Sequence, residues 1–224
     1  MSDSLAVVLL SGGLDSCVTT ALAAREHRLA LLHVSYGQRT AERERRAFEA
    51  IARAYGIRAV HQRVYELRFL AELGHSALTD SSIVLPEGPP GEGIPISYVP
   101  FRNAHLLTAA VSWAEILGAA SVWIGAVEED SSGYPDCRQE FFEAFERTAQ
   151  LGTKAARGLT IEAPLLHLRK AEIVRRGLEL GAPLEMTWSC YQDGEQACGV
   201  CESCWLRLRA FHEAGVEDPI PYRR

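Results

Sequence analysis

Residues 5–10, Leu-Ala-Val-Val-Leu-Leu, form an unbroken apolar run between polar positions. A run without polar alternation predicts a strand covered on both faces, as in a parallel sheet. A polar, glycine-rich turn follows at residues 11–16, and residues 17–26 read as a helix packed with small side chains. Residues 29–34 repeat the buried-strand pattern, residues 40–55 carry helical amphipathicity, and residues 58–64 read as a third strand. Strands and helices that alternate in this way predict an α/β fold with a doubly wound parallel sheet.

The pattern lapses over residues 74–100, where Pro86, Pro89, Pro90 and Pro95 stand among Gly88, Gly91 and Gly93. So long a loop in a compact domain is expected to be functional or mobile. Periodicity returns as a helix over 103–117, a strand over 121–125, a polar loop over 128–138 and a helix over 139–150. A last strand over 159–163 and a helix over 169–180 follow, and cysteines dominate from Pro183 onward. The expected organisation is an α/β domain over 1–182 with a small C-terminal cysteine-bearing segment over 183–224 packed on it.

Composition narrows the function. The 224 residues carry 23 basic and 29 acidic side chains, a formal charge of −6. That weighs against a sequence-blind nucleic-acid binder. No stretch reaches the roughly 20 apolar residues that span a bilayer, and the N-terminus lacks the basic start of a signal peptide. The expectation is a cytoplasmic protein. In a reducing compartment, the six cysteines suit metal ligation or free thiols better than disulfides.

Ser11-Gly12-Gly13-Leu14-Asp15-Ser16 joins the first strand to the first helix. Glycines let backbone N–H groups approach an anion, and the following helix adds its positive dipole end. The hydroxyls of Ser11 and Ser16 complete a nest for phosphate oxygens. A bare Gly-Gly turn would carry no chemistry, but here the serines, Asp15 and the flanking strand and helix agree. The segment is neither a Walker loop nor a dinucleotide fingerprint.

Cys190, Cys198, Cys201 and Cys204 follow a C-x7-C-x2-C-x2-C spacing. Four thiolates make a closed tetrahedral Zn²⁺ site of structural type. The spacing alone also suits an iron–sulfur cluster or a redox pair. Cys17 reads as a small buried residue, and Cys137 as a packed thiol or one facing the site. The seven histidines show no ligand spacing. The run Glu42-Arg43-Glu44-Arg45-Arg46 predicts a solvated helix face. Asn103, just past Pro100, reads as a helix N-cap or a ligand group, and Arg102 as a bidentate anion binder.

The SGGLDS segment resembles the signature of the PP-loop ATPases. These include GMP, asparagine and NAD synthetases and tRNA-modifying enzymes, which cleave ATP between its α and β phosphates. Tyr36-Gly37-Gln38-Arg39, residues 98–103 (YVPFRN), residues 132–138 (SGYPDCR) and Cys190-Tyr191 with the later cysteines are together similar to the 7-cyano-7-deazaguanine synthase family of queuosine biosynthesis. The likeness runs from about Ala6 to Arg209.

This resemblance implies an ATP-dependent ligase acting on 7-carboxy-7-deazaguanine and ammonia, with Mg²⁺ at the phosphates and structural Zn²⁺ on the four cysteines. It implies ATP binding by Leu10, Ser11, Gly12, Gly13, Leu14, Asp15 and Ser16, and catalytic roles for Asp15, Arg102 and Lys170. Gln38, Arg39, Arg102, Asn103, Tyr134 and Asp136 are the expected substrate contacts, and a homodimer the expected assembly. The family often carries Gly or Ala where this chain has Phe101, a residue that either reshapes the pocket or packs away from it. Two other readings stay in view. A PP-loop sulfur transferase acting on tRNA would need a catalytic thiol and a basic surface, and a related ligase would take another carboxylic acid.

Overall fold

A computed structural model describes residues 4–91, 93–128, 134–154 and 158–223. The elements run β1 (Leu5–Leu9), α1 (Leu14–Ala23), β2 (Arg28–Ser35), α2 (Ala41–Ala54), β3 (Gln62–Glu66), α3 (Phe69–Glu72), α4 (Arg102–Leu117), β4 (Ser121–Ile124), α5 (Gln139–Gly152), β5 (Thr160–Glu162), α6 (Lys170–Glu179) and α7 (Glu202–Ala214). Five parallel strands lie in the order β3-β2-β1-β4-β5. The order reverses between β1 and β4, so the crevice beyond their C-terminal ends is where an open α/β sheet binds ligands.

The run 5–10 produces the central strand because every side chain finds apolar cover. Ala6, Val8 and Leu10 join Leu29, Leu31 and Trp123 beneath α1, α2, α6 and α7. Leu5, Val7 and Leu9 join Ala30, Leu32, Val122 and Ile124 beneath α4 and α5. Small side chains let α1 lie close: Cys17, Val18, Thr19, Thr20 and Ala23 are fully buried. A Cβ on Gly177 of α6 would stand 2.8 Å from Val18 Cγ2, so that glycine sets the approach of α6 to α1.

Several expected boundaries shift. Helix α1 begins at Leu14, three residues before the predicted start, so half of the glycine-rich turn is the helix's own first turn. The expected strand over 58–64 opens instead with a 3₁₀ turn at Ala59–His61, and β3 follows. As the edge strand it is only partly covered, which explains its weak apolar signal. Helix α7 carried no predicted element. Its Ala210 and Phe211 enter the core shared by α1 and α6.

The loop over 74–100 is stitched down at two places. Ala77 N donates to Ile96 O (2.8 Å) and Ser76 Oγ to Ser97 O (3.2 Å). Gly88 N donates to Val200 O (2.9 Å) and Glu202 N to Pro86 O (3.1 Å), which ties the loop to the cysteine segment. Glu129, Asp130, Ser132 and Gly133 of the second polar loop lie outside the described residues. Among the described residues, no helix is long and apolar enough to cross a membrane.

Candidate active site

The loop after β1 adopts its shape because bulk is excluded at two glycines. Gly12 has φ +92°, and a Cβ there would meet Glu44 O at 2.7 Å and Ala47 Cβ at 2.9 Å. Gly125, just past β4, passes so close to the loop that a Cβ would lie 2.8 Å from Ser16 N. Ser16 Oγ donates to Gly13 O (3.0 Å), so the Ser11 hydroxyl donates to Ser16 Oγ (3.0 Å) while accepting from Gly13 N (3.2 Å). The first turn of α1 points its N–H groups at the mouth of the switch point, where unpaired helix donors favour an anion.

Lys170 opens α6 and sends Nζ to within 2.6 Å of Asp15 Oδ2. Asp15 Oδ1 is buried without a hydrogen-bond partner among the described residues. A cation pairs one oxygen, and the other remains an orphaned acceptor beside the phosphate nest. That fits a divalent ion at the phosphates, since hard cations take carboxylate oxygens. Leu10, Ser11, Gly13, Leu14, Asp15, Ser16 and Lys170 all line one cleft of about 340 Å³.

The opposite wall comes from β2, α2, α4 and the second polar loop. Arg102 Nη1 donates to Tyr36 Oη (3.3 Å), and its guanidinium carbon lies 5.7 Å from that ring's centre. Arg102 Nε is buried and unpartnered among the described residues. Tyr134 Oη shares a 2.9 Å hydrogen bond with Ser97 Oγ. Burial pushes the hydroxyl pKa of Tyr36 and Tyr134 upward, so both rings stay neutral donors.

Asn103 is not the N-cap; that position belongs to Phe101, in the left-handed region at φ 58°. Asn103 lies inside α4 and donates Nδ2 to Asp136 O (2.9 Å) and Cys137 Sγ (3.2 Å). Asp136 accepts from Asn103 N (2.8 Å) and so holds the N-terminus of α4. Asn103 and Cys137 line the cleft, whereas Gln38, Arg39 and Asp136 do not. Gln38 Oε1 accepts from Tyr36 N (2.8 Å), and its Nε2 donates to Glu44 Oε2 (3.0 Å). Arg39 Nη2 clamps the long loop through the carbonyls of Asp80 and Ile83. Phe101 is exposed and turns edge-on toward His105 and Phe141, at 6.0 and 6.1 Å, so it packs outside the cleft.

Glu44 departs from the solvated face expected of residues 42–46. It faces the cleft and accepts from Thr40 Oγ1 (2.5 Å) as well as Gln38. Burial raises its pKa above the usual carboxylate range. Arg43 also turns inward, stacking 4.3 Å over the Trp188 ring. Glu42, Arg45 and Arg46 form the solvent side, with ion pairs Arg45–Glu42 and Arg46–Glu195.

The cysteine segment supplies the third wall. The sulfurs of Cys190, Cys198, Cys201 and Cys204 all lie within 4.8 Å of one another. Cys198 and Cys204 are 3.8 Å apart. Zn–S bonds of about 2.3 Å in a tetrahedron put sulfurs about 3.8 Å apart. Backbone N–H groups of Gln192 and Cys198 donate to Cys190 Sγ, and that of Cys201 to Cys198 Sγ, each at 3.3 Å. Such donors suit thiolate ligands, so the residues fit a metal. Cys17, by contrast, is buried on α1 with its thiol pushed up to about 12, an inert packed group.

The same segment presents Trp188, Ser189, Tyr191, Glu202, Ser203 and Arg207 to the cleft. Trp188 N donates to Gly12 O (2.8 Å), joining the metal segment to the phosphate loop. Arg207 is buried and forks onto Asp218 (2.7 and 2.9 Å), with further bonds to Thr187 Oγ1 and Ser189 Oγ. Tyr191 is pushed upward in pKa chiefly by burial, then by Tyr134 and Glu202. Gly125, Glu44, Trp188, Glu202 and Arg207 all escaped the sequence reading. Glu44 had a local signal, since it stands one helical turn before Ala47 and Phe48.

A parallel sheet with a glycine-rich turn at its switch point, opening into one continuous cleft, is the architecture of an α/β enzyme of the PP-loop type, and the family match bears this out. The chain belongs to the family described as "Queuosine biosynthesis protein QueC", which it matches over residues 5–215. It is 56% identical to the 7-cyano-7-deazaguanine synthase of Acidobacterium capsulatum, over 97% of this chain and 96% of that one. The corresponding synthase of Koribacter versatilis is also 56% identical, over 97% and 92% of the two chains. That of Chlorobium luteolum is 55% identical, over 97% and 96%.

Proposed function

We propose that the protein converts 7-carboxy-7-deazaguanine and ammonia to 7-cyano-7-deazaguanine, cleaving two ATP to AMP and pyrophosphate. One observation carries this reading. The anion nest with its Lys170–Asp15 pair opens into the same cleft as Arg102, Tyr36 and Tyr134. An ATP α-phosphate and an aromatic carboxylate can therefore meet in one chamber.

A carboxylate resists ammonia because its leaving group would be oxide. Attack of the carboxylate oxygen on the α-phosphate forms an acyl-adenylate and releases pyrophosphate. Ammonia then displaces AMP and leaves the primary amide. The amide oxygen attacks a second α-phosphate in the same way, again releasing pyrophosphate. The nitrogen gives up its protons as AMP departs, which leaves the nitrile. Both activations use one loop, and catalysis rests on positioning and charge neutralisation, with no protein nucleophile.

In this scheme residues 10–16 hold the phosphates and Lys170 offsets their charge. Asp15 would hold Mg²⁺, which supplies charge neutralisation at the phosphates. Arg102 holds the acid, and Tyr134 stacks on its ring. Gln38, Arg39, Asn103 and Asp136 act through the elements they fix: the end of β2, the long loop and the start of α4. The four cysteines hold structural Zn²⁺, and the boundary at residues 182/183 separates catalytic scaffold from metal segment. An aromatic row, Phe69–His105–Phe101–Phe141, in which Phe69 and Phe101 are exposed, supports a homodimer. The absence of a membrane-spanning helix among the described residues agrees with a cytoplasmic enzyme.

The phosphorus products test the class of reaction. ³¹P NMR of a complete reaction is expected to show AMP and pyrophosphate. ADP and phosphate would overturn the reading.

A further inference from the structure

Three carboxylates line the cleft among the described residues: Asp15, Glu44 and Glu202. Glu44 is engaged within the protein, and Asp15 is engaged through one of its two oxygens. Asp15 pairs with Lys170 at 2.6 Å, and Glu44 accepts from Thr40 Oγ1 and Gln38 Nε2. Glu202 differs from both. It is 5% exposed, yet no hydrogen bond or ion pair reaches its carboxylate from any described residue. Its backbone is fixed, with its N–H on Pro86 O at 3.1 Å and the residue at the first position of α7.

Its oxygens are not among the fully enclosed unpaired atoms, so they open to the cleft that Glu202 lines, and a carboxylate facing a cleft with no protein donor takes its hydrogen bonds from whatever fills that cleft. None of the cleft's cations pairs with Glu202: Lys170 pairs with Asp15, Arg207 with Asp218, and Arg102 donates to Tyr36. A ligand that enters the cleft with N–H donors can therefore displace water from this carboxylate without breaking any bond within the protein. Tyr134 and Tyr191 line the same cleft as Glu202. A cleft lined by aromatic rings and a carboxylate suits a flat ring whose edge carries N–H groups.

We propose that Glu202 is the specificity group of the acceptor chamber, accepting two adjacent N–H donors from the 2-aminopyrimidinone edge of the substrate. This rests on the deazaguanine reading above. The ring N–H and the exocyclic amino group of such an edge point the same way, so one carboxylate accepts both, as it accepts the parallel donors of a guanidinium. That pairing orients the ring and leaves the opposite edge, which bears the carboxylate, to face the phosphate loop. Removing either partner leaves the other buried and unpaired, and sites built this way reject analogues that lack the donor.

The test compares 7-carboxy-7-deazaguanine with its analogue lacking the 2-amino group, on wild-type protein and on Glu202→Gln. Wild type is expected to favour the full substrate by about 10²-fold or more in kcat/KM and in calorimetric Kd. Glu202→Gln is expected to lose most of that discrimination through a higher KM for the acid, with the KM for ammonia and the metal content unchanged. Equal use of both acids by wild type would overturn the proposal, and this arm needs no variant to fold. A variant that keeps the discrimination but raises the KM for ammonia would also overturn it, by assigning the carboxylate to ammonium. Wild type that binds neither acid while still binding ATP would defeat the deazaguanine reading itself, and this inference with it.

Discussion

Lys170 and Asp15 lie 155 residues apart in the chain, and their side chains meet at 2.6 Å beside the phosphate nest. The contact joins the first turn of α1 to the first turn of α6, so two helix N-termini and one cation converge on the place where pyrophosphate would form. Both side chains keep part of their surface in solvent, so the pair contributes little to stability, about 1 kcal/mol or less. Its value lies in charge placement. Asp15→Ala and Lys170→Met are each expected to lower kcat by at least about 10²-fold while moving the melting temperature by only a few degrees. Pyrophosphate release and thermal melting check both halves of this statement.

Gly125 sets how closely β4 approaches the loop. A Cβ there would stand 2.8 Å from Ser16 N and 2.9 Å from the Asp15 carbonyl carbon. Backbone cannot yield as a flexible side chain can. Gly125→Ala is expected to cost about 1–3 kcal/mol of stability and to weaken ATP binding, measured by urea unfolding and by titration with a non-hydrolysable ATP analogue.

The Arg207–Asp218 pair holds the C-terminal segment from within. Both side chains are almost wholly buried, and Asp218 also accepts from Tyr222 Oη at 2.6 Å. Arg207→Met leaves that carboxylate without its cation and is expected to cost about 3–5 kcal/mol. Restoring charge balance with Asp218→Asn in the same chain should recover part of the loss. A double-mutant cycle in urea measures the coupling.

Metal removal should affect more than the tail. The four-cysteine segment also carries Trp188 and Tyr191 into the cleft, and metal binding is coupled to the local fold. Chelation is expected to change Trp188 fluorescence and to abolish acid binding before the sheet unfolds. Circular dichroism followed alongside fluorescence separates the two events.

Glu44 gives a dependence on pH with a defined sign. Burial raises its pKa in the folded state above the ordinary value of 4.5. A raised carboxylate contributes stability that is fully present below pH 4.5 and is lost as pH rises through the folded pKa. Wild type is therefore expected to lose stability relative to Glu44→Gln as pH rises above about 4.5. Unfolding both proteins at pH 4 and pH 7 measures the change in their difference. A difference that stays constant would contradict the burial account of Glu44.

Local pattern revealed most of the scaffold. The apolar runs at 5–10 and 29–34 became β1 and β2 because nothing but core surrounds them. SGGLDS was legible as a tight strand-to-helix turn, because Gly12 takes φ +92° where a side chain would clash, the Ser11 and Ser16 hydroxyls bond within the turn, and α1 starts inside it. Other parts were hidden for identifiable reasons. Helix α7 buries Arg207 on the face it shares with Cys204, Ala210 and Phe211, so a charge interrupts its apolar stripe. Glu44 was masked by the alternating charges around it, although the spacing to Phe48 and Ile51 places it on the inner face. Trp188 and Glu202 reach the cleft only because the cysteine segment folds back onto the phosphate loop, a long-range contact with no local trace.

In the proposed reaction one cleft activates the same carbon twice. Purified protein with ATP, Mg²⁺, ammonia and 7-carboxy-7-deazaguanine, followed by mass spectrometry, tests it directly. The account predicts the nitrile, a transient primary amide and two AMP for each nitrile formed. AMP with an amide that never proceeds, or no AMP at all with this acid, would contradict it.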